Sequence, residues 1–353
     1  MRILAINPGS TSTKIAVYED EKPVFEETIR HQAEELAPFP TLPDQYDFRK
    51  QIVLETLKNK DIPLNFNAII GRGGLIKPVP GGVFEVNEAM KQDLIHAKLQ
   101  HASNLGGLIA SELASQIAGC KAYIVDSVVT DELEDMSRIT GSPLLPKVSI
   151  FHALNQKAVA RKYAQSIGKK YDELNLVVAH MGGGISVGAH KKGRVIDVNN
   201  ALNGDGPFST ERAGTLPAGA LAELCFSGKY TQAEIDKMIC GKGGLMAHFG
   251  SNDAYKITMD ALAGDQKADL VLKAMIYNVG KEIGAMCAAL SGKVDAIILT
   301  GGIAYDKYLM PILKEQVEFL SKVVIYPGED EMGALALGGL RVLRGEEEPK
   351  IYK

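Results

Sequence analysis

The sequence is poor in several features that would each indicate a particular class of protein. It has no tryptophan, only four cysteines, no strong excess of charge and no long apolar run. No stretch approaches the roughly 18 apolar residues of a membrane span, and Ile3–Ile6 is too short for a signal peptide. The cysteines lack CxxC spacing and are interpreted as reduced structural thiols of a cytoplasmic protein: Cys120, Cys225, Cys240 and Cys287.

Charge and length set further limits. The net charge is −4, from 39 basic and 43 acidic residues, and no block of like charge is longer than Glu346–Glu348. Binding to nucleic acid or to a membrane surface therefore has no electrostatic support. A chain of 353 residues is too long for one ordinary core, so we expect two domains with the composition of an α/β protein.

A polar turn between two apolar runs dominates the N-terminal region. The turn Asn7–Lys14 reads NPGSTSTK, and it lies between Ile3–Ile6 and Ile15–Tyr18, with a third strand predicted at Val24–Ile29. Gly, Ser and Thr allow backbone N–H groups and hydroxyls to surround an anion, and Lys14 adds a point charge. A P-loop is excluded because it needs Gly-Lys-Ser/Thr followed by a helix. The alternative is an ordinary β-hairpin with a polar loop.

The same arrangement occurs again about half a chain later. Leu176–Ala179 leads into the Gly-rich turn His180–Gly184, and Ile185–Ala189 leaves it. A charged turn then precedes a third predicted strand at Val195–Val198. Repetition at this long spacing indicates two related domains rather than a solenoid.

A Gly-Gly bend follows a buried-strand pattern near the end of the chain. Ala296–Leu299 runs into Thr300-Gly301-Gly302-Ile303. Such a bend lets a backbone come close to a flat ligand.

The remaining pattern alternates strands with helices. Helices are predicted over residues 44–60, 87–99, 105–118, 151–167, 267–290, 306–321 and 331–343, and strands over 68–70, 122–125, 294–300 and 323–326. Asn7, Arg72 and Asp126 each lie just past a predicted strand. Ligands gather at the carboxyl ends of strands in open α/β sheets, so we expect these three residues to converge.

Two phosphate-type turns and a Gly-Gly bend resemble the nucleotide site of the acetate and sugar kinase, Hsp70 and actin superfamily. The details are similar to its acetokinase family of short-chain carboxylate kinases, most of all to the butyrate kinase branch, over essentially the whole chain. The resemblance implies an α/β fold of two actin-like (ribonuclease H-like) domains, each a mixed five-stranded sheet flanked by helices, with helical insertions.

The resemblance also implies domain boundaries. Residues 1–150 with 330–353 are expected to form the first domain, which carries the acyl substrate and the first phosphate turn. Residues 151–329 are expected to form the second domain, with the second phosphate turn, the adenosine segment and an oligomer interface. The C-terminal helix is expected to cross back to the first domain.

The implied cofactors are ATP/ADP and Mg²⁺. Nucleotide contacts are expected from Asn7, Ser10, Ser12 and Lys14, from His180, Gly182, Gly183 and Gly184, and from Gly301, Gly302 and Ile303. For Mg²⁺, which keeps few protein ligands, the candidates are Asn7, Ser10 and one acid of Glu329, Asp330 and Glu331, with Glu331 preferred. The alternative is that these acids only cap the last helix.

Four residues are expected to carry the chemistry: Arg72, Asp126, His152 and Arg212. Arg72 and Arg212 resemble the two active-site arginines of acetate kinase, and the alternative for each is a solvated surface charge. His152 and His180 are expected to bond to the phosphoryl groups. A carboxylic acid is already ionised at pH 7. Asp126 is therefore interpreted as positioning Mg²⁺, a water or an arginine rather than as an obligatory base, and a turn or cap aspartate is the alternative.

Several departures from acetate kinase favour the butyrate kinase branch over acetate as the substrate. The resemblance then implies butyrate, with branched-chain acids such as isobutyrate as further candidates. Gly183 stands where acetate kinase has Asn, its Gly-Thr-Arg-Ser segment is altered around Arg212, and this chain is shorter. Acetate or propionate kinase, a sugar kinase or phosphatase, and a nucleotide switch like the Hsp70 ATPase domain remain alternatives. The expected partners are a small carboxylate, a nucleotide and further copies of the chain in a homodimer or larger homo-oligomer, with no nucleic acid and no membrane.

Overall fold

A computed structural model of the chain describes residues 1–97 and 100–353. The chain divides into two compact units. The first unit consists of Met1–Thr130 and Asp330–Lys353, and the second consists of Asp131–Glu329.

The first boundary lies at residue 130 rather than at the predicted 150. Glu132 pairs with Lys157 at 2.8 Å, and Lys147 pairs with Asp197 at 2.6 Å. These contacts tie the segment 131–150 to the second unit. The sequence did not reveal them because each partner lies tens of residues further along the chain.

The elements follow the predicted alternation. Up to residue 130 the strands are β1 (Arg2–Pro8), β2 (Ser12–Glu19), β3 (Lys22–Arg30), β4 (Ala68–Arg72), β5 (Val83–Glu85) and β6 (Lys121–Val125), and the helices are α1 (Ala33–Leu36), α2 (Tyr46–Asn59), α3 (Glu88–Ile95) and α4 (Asn104–Ser115). The helix predicted over 87–99 ends at Ile95, and its predicted final residue Leu99 lies outside the described residues.

The second unit has the strands β7 (Asn175–Met181), β8 (Ile185–Lys191), β9 (Arg194–Val198), β10 (Ala296–Gly301) and β11 (Val323–Pro327). Its helices are α5 (Asp135–Arg138), α6 (Ala153–Ser166), α7 (Ala218–Cys225), α8 (Gln232–Ile239), α9 (Gly244–Phe249), α10 (Ala254–Leu262), α11 (Gln266–Ala289) and α12 (Leu309–Val317). The chain then adds α13 (Glu331–Leu343) and β12 (Lys350–Ile351) to the first unit.

Both units contain the same five-strand arrangement. The order in the second unit is β11-β10-β7-β8-β9, and the first unit has β6-β4-β1-β2-β3. In each, a parallel trio is followed by two antiparallel strands joined as hairpins. The internal repetition seen in the sequence is therefore a repetition of topology.

The first sheet is larger than predicted. In the part of the chain that the structure describes, β12 and β5 extend it beyond β6, so it has seven strands rather than five. Both additions were missed because strands of two or three residues show no hydrophobic period, and β12 lies in the highly charged stretch 344–353.

Helices cover both faces of each sheet, which explains the continuous apolar runs of the central strands. In the first unit, Leu4 and Ile6 pack in a cluster with residues of α2 and α4. The opposite face of the sheet packs against α13 at Gly339. In the second unit, Val177 faces α11 and Val178 faces α6. Within the described ranges, no helix combines the length and apolarity needed to cross a membrane.

Candidate active site

The first phosphate-type turn is the tip of the β1–β2 hairpin. Pro8 pairs with Thr13, and the Gly9 amide donates to the Ser12 carbonyl at 2.7 Å. Ser10 is exposed and Ser12 is half-buried. The tip therefore presents short polar side chains and backbone amides, as an anion-binding turn requires.

Arg49 on α2 lies beneath this turn and was missed by the sequence analysis. Its guanidinium is fully buried, and it donates to the carbonyl oxygens of Gly9 at 2.9 Å, Ser10 at 3.0 Å and Ser12 at 3.0 Å. Gln45 Oε1 accepts from its Nε and Nη2. The available signal was a charged residue on the stripe that α2 buries, one turn before Val53.

Asn7, Arg72 and Glu331 converge at the carboxyl end of the first sheet. β1 and β4 are parallel neighbours, so their ends place Asn7 and Arg72 side by side. Asn7 Nδ2 donates to Glu331 Oε2 at 2.7 Å, and Arg72 Nη1 forms an ion pair with Glu331 Oε1. Lys14 lies directly opposite Asn7 in the hairpin, on the same face of the sheet. The predicted convergence is therefore present for Asn7 and Arg72.

The electrostatics of this cluster keep Glu331 ionised. Burial alone would raise the pKa of the Glu331 carboxyl. The charge and hydrogen bond of Arg72, the hydrogen bond of Asn7 and the charge of Lys14 outweigh burial, so the pKa lies below its ordinary value. An ionised carboxylate at the start of α13 is also favoured by the helix dipole.

The three acids around the start of α13 have different partners. Asp330 caps the helix, since its side chain accepts from the Gly333 amide at 2.7 Å. Glu329 belongs to the second unit, where its carboxylate lies 3.8 Å from His180 Nε2. Glu331 alone of the three is engaged by Asn7 and Arg72.

A divalent cation fits this cluster with few protein ligands. Glu331 supplies an ionised carboxylate, and Asn7 adds an amide oxygen beside it, which are the ligand types that Mg²⁺ prefers. Among residues 1–97 and 100–353, no group of three or more His, Cys, Asp or Glu side chains could hold a metal ion. The donor set suits an ion that takes most of its ligands from phosphate and water.

Asp126 lies at the same end of the sheet, one residue past β6. Its Oδ1 accepts from the Gly82 amide at 2.7 Å, and its own amide donates to the Gly82 carbonyl at 3.0 Å. Its φ of 38° is in the left-handed region, which few non-glycine residues occupy and which aspartate tolerates better than most. Asp126 thus holds the turn before β5.

Arg72 is brought to the sheet edge by an unusually close strand–helix contact. A Cβ on Gly71 would lie 2.2 Å from the Gly106 carbonyl oxygen, and a Cβ on Gly106 would lie 2.6 Å from the Arg72 carbonyl oxygen. Only glycine at both positions allows α4 to lie this close to β4.

The second phosphate-type turn joins β7 to β8 in the second unit. The Gly182 amide donates to the Gly184 carbonyl at 2.9 Å, and Ser209 Oγ donates to the Gly183 carbonyl at 2.6 Å. Arg212 lies directly against this turn. A Cβ on Gly184 would be 1.7 Å from Arg212 Nη1, which also donates to the Ala201 carbonyl at 2.6 Å. The loop between β9 and α7 therefore brings Arg212 to the Gly-rich turn.

His152 and His180 stack beside this turn, with ring centroids 3.9 Å apart. The Asn155 amide nitrogen can only donate, so His180 Nδ1 accepts from it at 2.7 Å and the neutral ring carries its proton on Nε2. Ser186 Oγ accepts from Gln156 Nε2 at 2.8 Å, which leaves its proton for His152 Nδ1, also at 2.8 Å. Both imidazoles are thereby set as Nε2–H donors.

Asn155, Gln156 and Ser186 were missed by the sequence analysis. All three are buried, and Gln156 Oε1 in turn accepts from His190 Nε2 at 2.9 Å. The usable signal was weak: two adjacent amide side chains fall in the first turn of α6, immediately after His152.

The predicted adenosine segment forms a bend after β10. Gly301 has a φ of 90°, and a Cβ there would lie 2.3 Å from the Met181 carbonyl oxygen. Gly301 and Gly328 exchange two backbone hydrogen bonds, of 3.1 and 2.9 Å. A Cβ on Gly302 would meet open space, whereas the Ile303 side chain is buried in the core. A flat ligand could therefore approach at Gly302, and Ile303 could offer only its backbone.

The chain is similar to a known family and to proteins within it. The model of the acetokinase family matches residues 149–318. The chain is 57% identical over 353 residues to a probable butyrate kinase of Bacteroides thetaiotaomicron, covering 100% of both chains. It is 55% identical over 354 residues to butyrate kinase 2 of Clostridium acetobutylicum, covering 100% of this chain and 99% of that one.

A solved structure shows that the fold is shared as well. Porphyromonas gingivalis acetate kinase superposes with a TM-score of 0.78 at 20% identity, covering 97% of this chain and 99% of that chain. The predicted α/β fold of the actin-like class is therefore confirmed.

Proposed function

The chain belongs to the acetokinase family, and from this we propose that it is an ATP-dependent butyrate kinase. It transfers the γ-phosphoryl group of ATP reversibly to the carboxylate of a short-chain fatty acid. A carboxylate oxygen attacks the γ-phosphorus in line, and the bond to the bridging oxygen of ADP breaks. The acid is already ionised near neutral pH, so no residue has to remove a proton.

The observation that carries the proposal is that each unit holds an arginine beside a phosphate-type turn. Phosphoryl transfer depends mainly on positioning and on neutralising charge. In the first unit, Arg72 shares its cluster with Asn7 and Lys14. In the second unit, Arg212 lies against Gly184. A guanidinium can bind two oxygens of a carboxylate or phosphate at once.

We assign the other site residues by what they can donate. Ser10, Ser12 and Lys14 bind nucleotide phosphates from the first turn, and His180 with Gly182–Gly184 binds them from the second. The Nε2–H groups of His152 and His180 stabilise negative charge on the transferring phosphoryl group. Gly301, Gly302 and the backbone of Ile303 receive the adenosine, and Asp126 acts as a positioning residue.

Mg²⁺ completes the assignment. Asn7 and Glu331 would hold it, and when bound it supplies positive charge to the phosphate oxygens of ATP. Glu331 must be ionised for this role, and the charge of Arg72 favours that state. We further propose that the enzyme is cytoplasmic and forms a homodimer or larger homo-oligomer through the second unit.

The direct test is to trap acyl phosphate with hydroxylamine across straight-chain acids of two to five carbons and isobutyrate. We expect kcat/KM to peak at four carbons, because each methylene in such a pocket is worth about 1–3 kcal/mol. A maximum at acetate would make the protein an acetate kinase instead. Absence of trapped product with every acid would exclude a carboxylate kinase and favour a sugar kinase or phosphatase.

Ser186→Ala tests the role of His152. Without the hydroxyl, His152 Nδ1 loses the partner that sets its tautomer, so we expect kcat to fall by about ten-fold, less than the full loss of a charge-stabilising donor. Ser321→Ala is the control, since Ser321 Oγ donates to the Val294 carbonyl before β10 begins. Equal kcat for Ser186→Ala and wild type would remove His152 from the mechanism.

A further inference from the structure

Arg49 is a buried cation whose hydrogen bonds go to the backbone of the first turn. Its guanidinium binds the carbonyl oxygens of Gly9, Ser10 and Ser12 together. Thr13 Oγ1 accepts from it as well, at 3.1 Å. The turn is therefore fixed from its inner side by one side chain that lies far away in the sequence.

The contact with Arg49 fixes the direction of two backbone N–H groups in the turn, because of the geometry of the peptide group. The peptide bonds of the turn are trans, so each carbonyl points opposite to the N–H of the next residue. Because Arg49 holds the carbonyls of Gly9 and Ser10, the amides of Ser10 and Thr11 point away from it, toward the exposed side of the turn. Within residues 1–97 and 100–353, neither amide has a hydrogen-bond acceptor.

Arg49 also lacks an acidic partner for its charge among the described residues. Its neighbours are carbonyl, amide and hydroxyl oxygens, and among the described residues no carboxylate forms an ion pair with it. Burial lowers the pKa of Arg49 to about 10, so the group still carries its charge near neutral pH. A buried cation without a counter-ion is costly. That arrangement suits a turn whose ligand brings negative charge.

We propose that Arg49 is a positioning residue that aims the Ser10 and Thr11 amides at a phosphate of the nucleotide. It does not touch the substrate. It acts through the turn, and its charge adds to the attraction for the phosphate across one layer of peptide groups. The inference rests on the proposed kinase function, because it takes the anion to be part of MgATP.

Arg49→Lys is the direct test. Lysine keeps the charge but offers one ammonium in place of a planar fork, so it cannot hold three carbonyls at the same geometry. We expect the KM for MgATP to rise by about ten-fold or more, as the loss of one charged hydrogen bond implies, while the KM for butyrate changes less than about two-fold. A purely structural role would move both KM values together.

Val53→Ala provides the matched control. Val53 is fully buried one turn further along α2, so its truncation destabilises the same helix but removes no hydrogen bond from the turn. We expect both KM values of this variant to stay at wild type. The rise in thermal midpoint caused by ATP gives a second readout that needs no turnover. It should shrink for Arg49→Lys and persist for Val53→Ala.

A less disruptive substitution tests the same role if Arg49→Lys does not fold. Gln45→Met removes the oxygen that anchors Arg49 Nε and Nη2 but leaves the guanidinium in place. It should raise the KM for MgATP in the same direction, by a smaller factor. An unchanged KM for MgATP in the folded Arg49 or Gln45 variant would overturn the inference.

The same experiments separate this inference from the proposed function. If the wild-type protein forms no acyl phosphate, the function fails, and the ATP-induced shift of thermal midpoint alone then decides the role of Arg49. If the wild type is active and the Val53→Ala control loses ATP affinity as much as Arg49→Lys, only the positioning role fails.

Discussion

Replacing Arg72 by alanine is expected to lower kcat for acyl phosphate formation by about a thousand-fold, the scale on which arginines act in phosphoryl transfer. Arg72 leaves the end of β4 and forms an ion pair with Glu331. The variant loses the guanidinium that we assign to the reacting groups, and Glu331 loses its main counter-charge. The measurement is the rate of hydroxamate formation with both substrates saturating.

The control for this loss is Arg341→Ala. Arg341 pairs with Glu347 at 2.8 Å, and its side chain is 20% exposed, as is that of Arg72. Both substitutions therefore remove a similarly half-buried ion pair from the first unit. We expect the Arg341 variant to keep a kcat close to wild type. Near-normal turnover by Arg72→Ala would end the catalytic assignment of Arg72.

The pH profile of the Arg72 variant adds a second signature. Burial raises the pKa of Glu331, and the Arg72 charge is the first of the influences that lower it. Without Arg72, fewer groups counteract the effect of burial, so the pKa of Glu331 rises. Glu331 then takes up a proton at a higher pH than in the wild type and loses its affinity for Mg²⁺. The residual activity should therefore fall more steeply as the pH drops below neutral, and added Mg²⁺ should restore part of it.

Gly184→Ala is expected to reduce kcat by more than about a hundred-fold, the scale of losing one preorganised charge-stabilising group. The new Cβ would occupy the position of Arg212 Nη1, so the guanidinium has to leave the turn. Gly183→Ala is the matched substitution in the same turn, because the nearest atom to a Cβ there is 3.7 Å away. It should cost far less. Comparable losses at Gly183 and Gly184 would contradict this explanation.

A double-mutant cycle identifies the cause of the Gly184 effect. If the added methyl acts by displacing Arg212, then Gly184→Ala should add almost nothing to the loss already caused by Arg212→Ala. Independent, additive losses would mean that the methyl disturbs the turn itself. Thermal midpoints of the single variants show whether the second unit keeps its stability.

The sequence predicted those parts of the site that depend on local pattern. Apolar runs on both sides of a Gly/Ser turn require a hairpin, so the turns at Asn7–Lys14 and His180–Gly184 were found. A polar residue directly after a buried strand has its position fixed by the sheet. Arg72 and Asn7 were expected to meet for this reason, and they do so at Glu331. These inferences needed only strand order and direction.

The supporting residues could not be found in this way. Arg49, Gln156 and Ser186 do their work through side-chain hydrogen bonds to partners tens of residues away. Their signals in the sequence were weak, and only the packed fold reveals that they are buried and which groups they contact. The extra strands β5 and β12 were missed for a related reason, since pairing at the sheet edge rather than local periodicity defines them.

The division of the chain has a consequence for its synthesis. The first unit needs Asp330–Lys353, because α13 covers one face of its sheet and supplies Glu331. The second unit is one continuous segment, Asp131–Glu329. On the ribosome, the later half can therefore acquire its full structure while the earlier half still waits for its closing helix. The first unit would therefore depend on chaperones for longer than the second, whereas domains usually fold in the order in which they emerge from the ribosome.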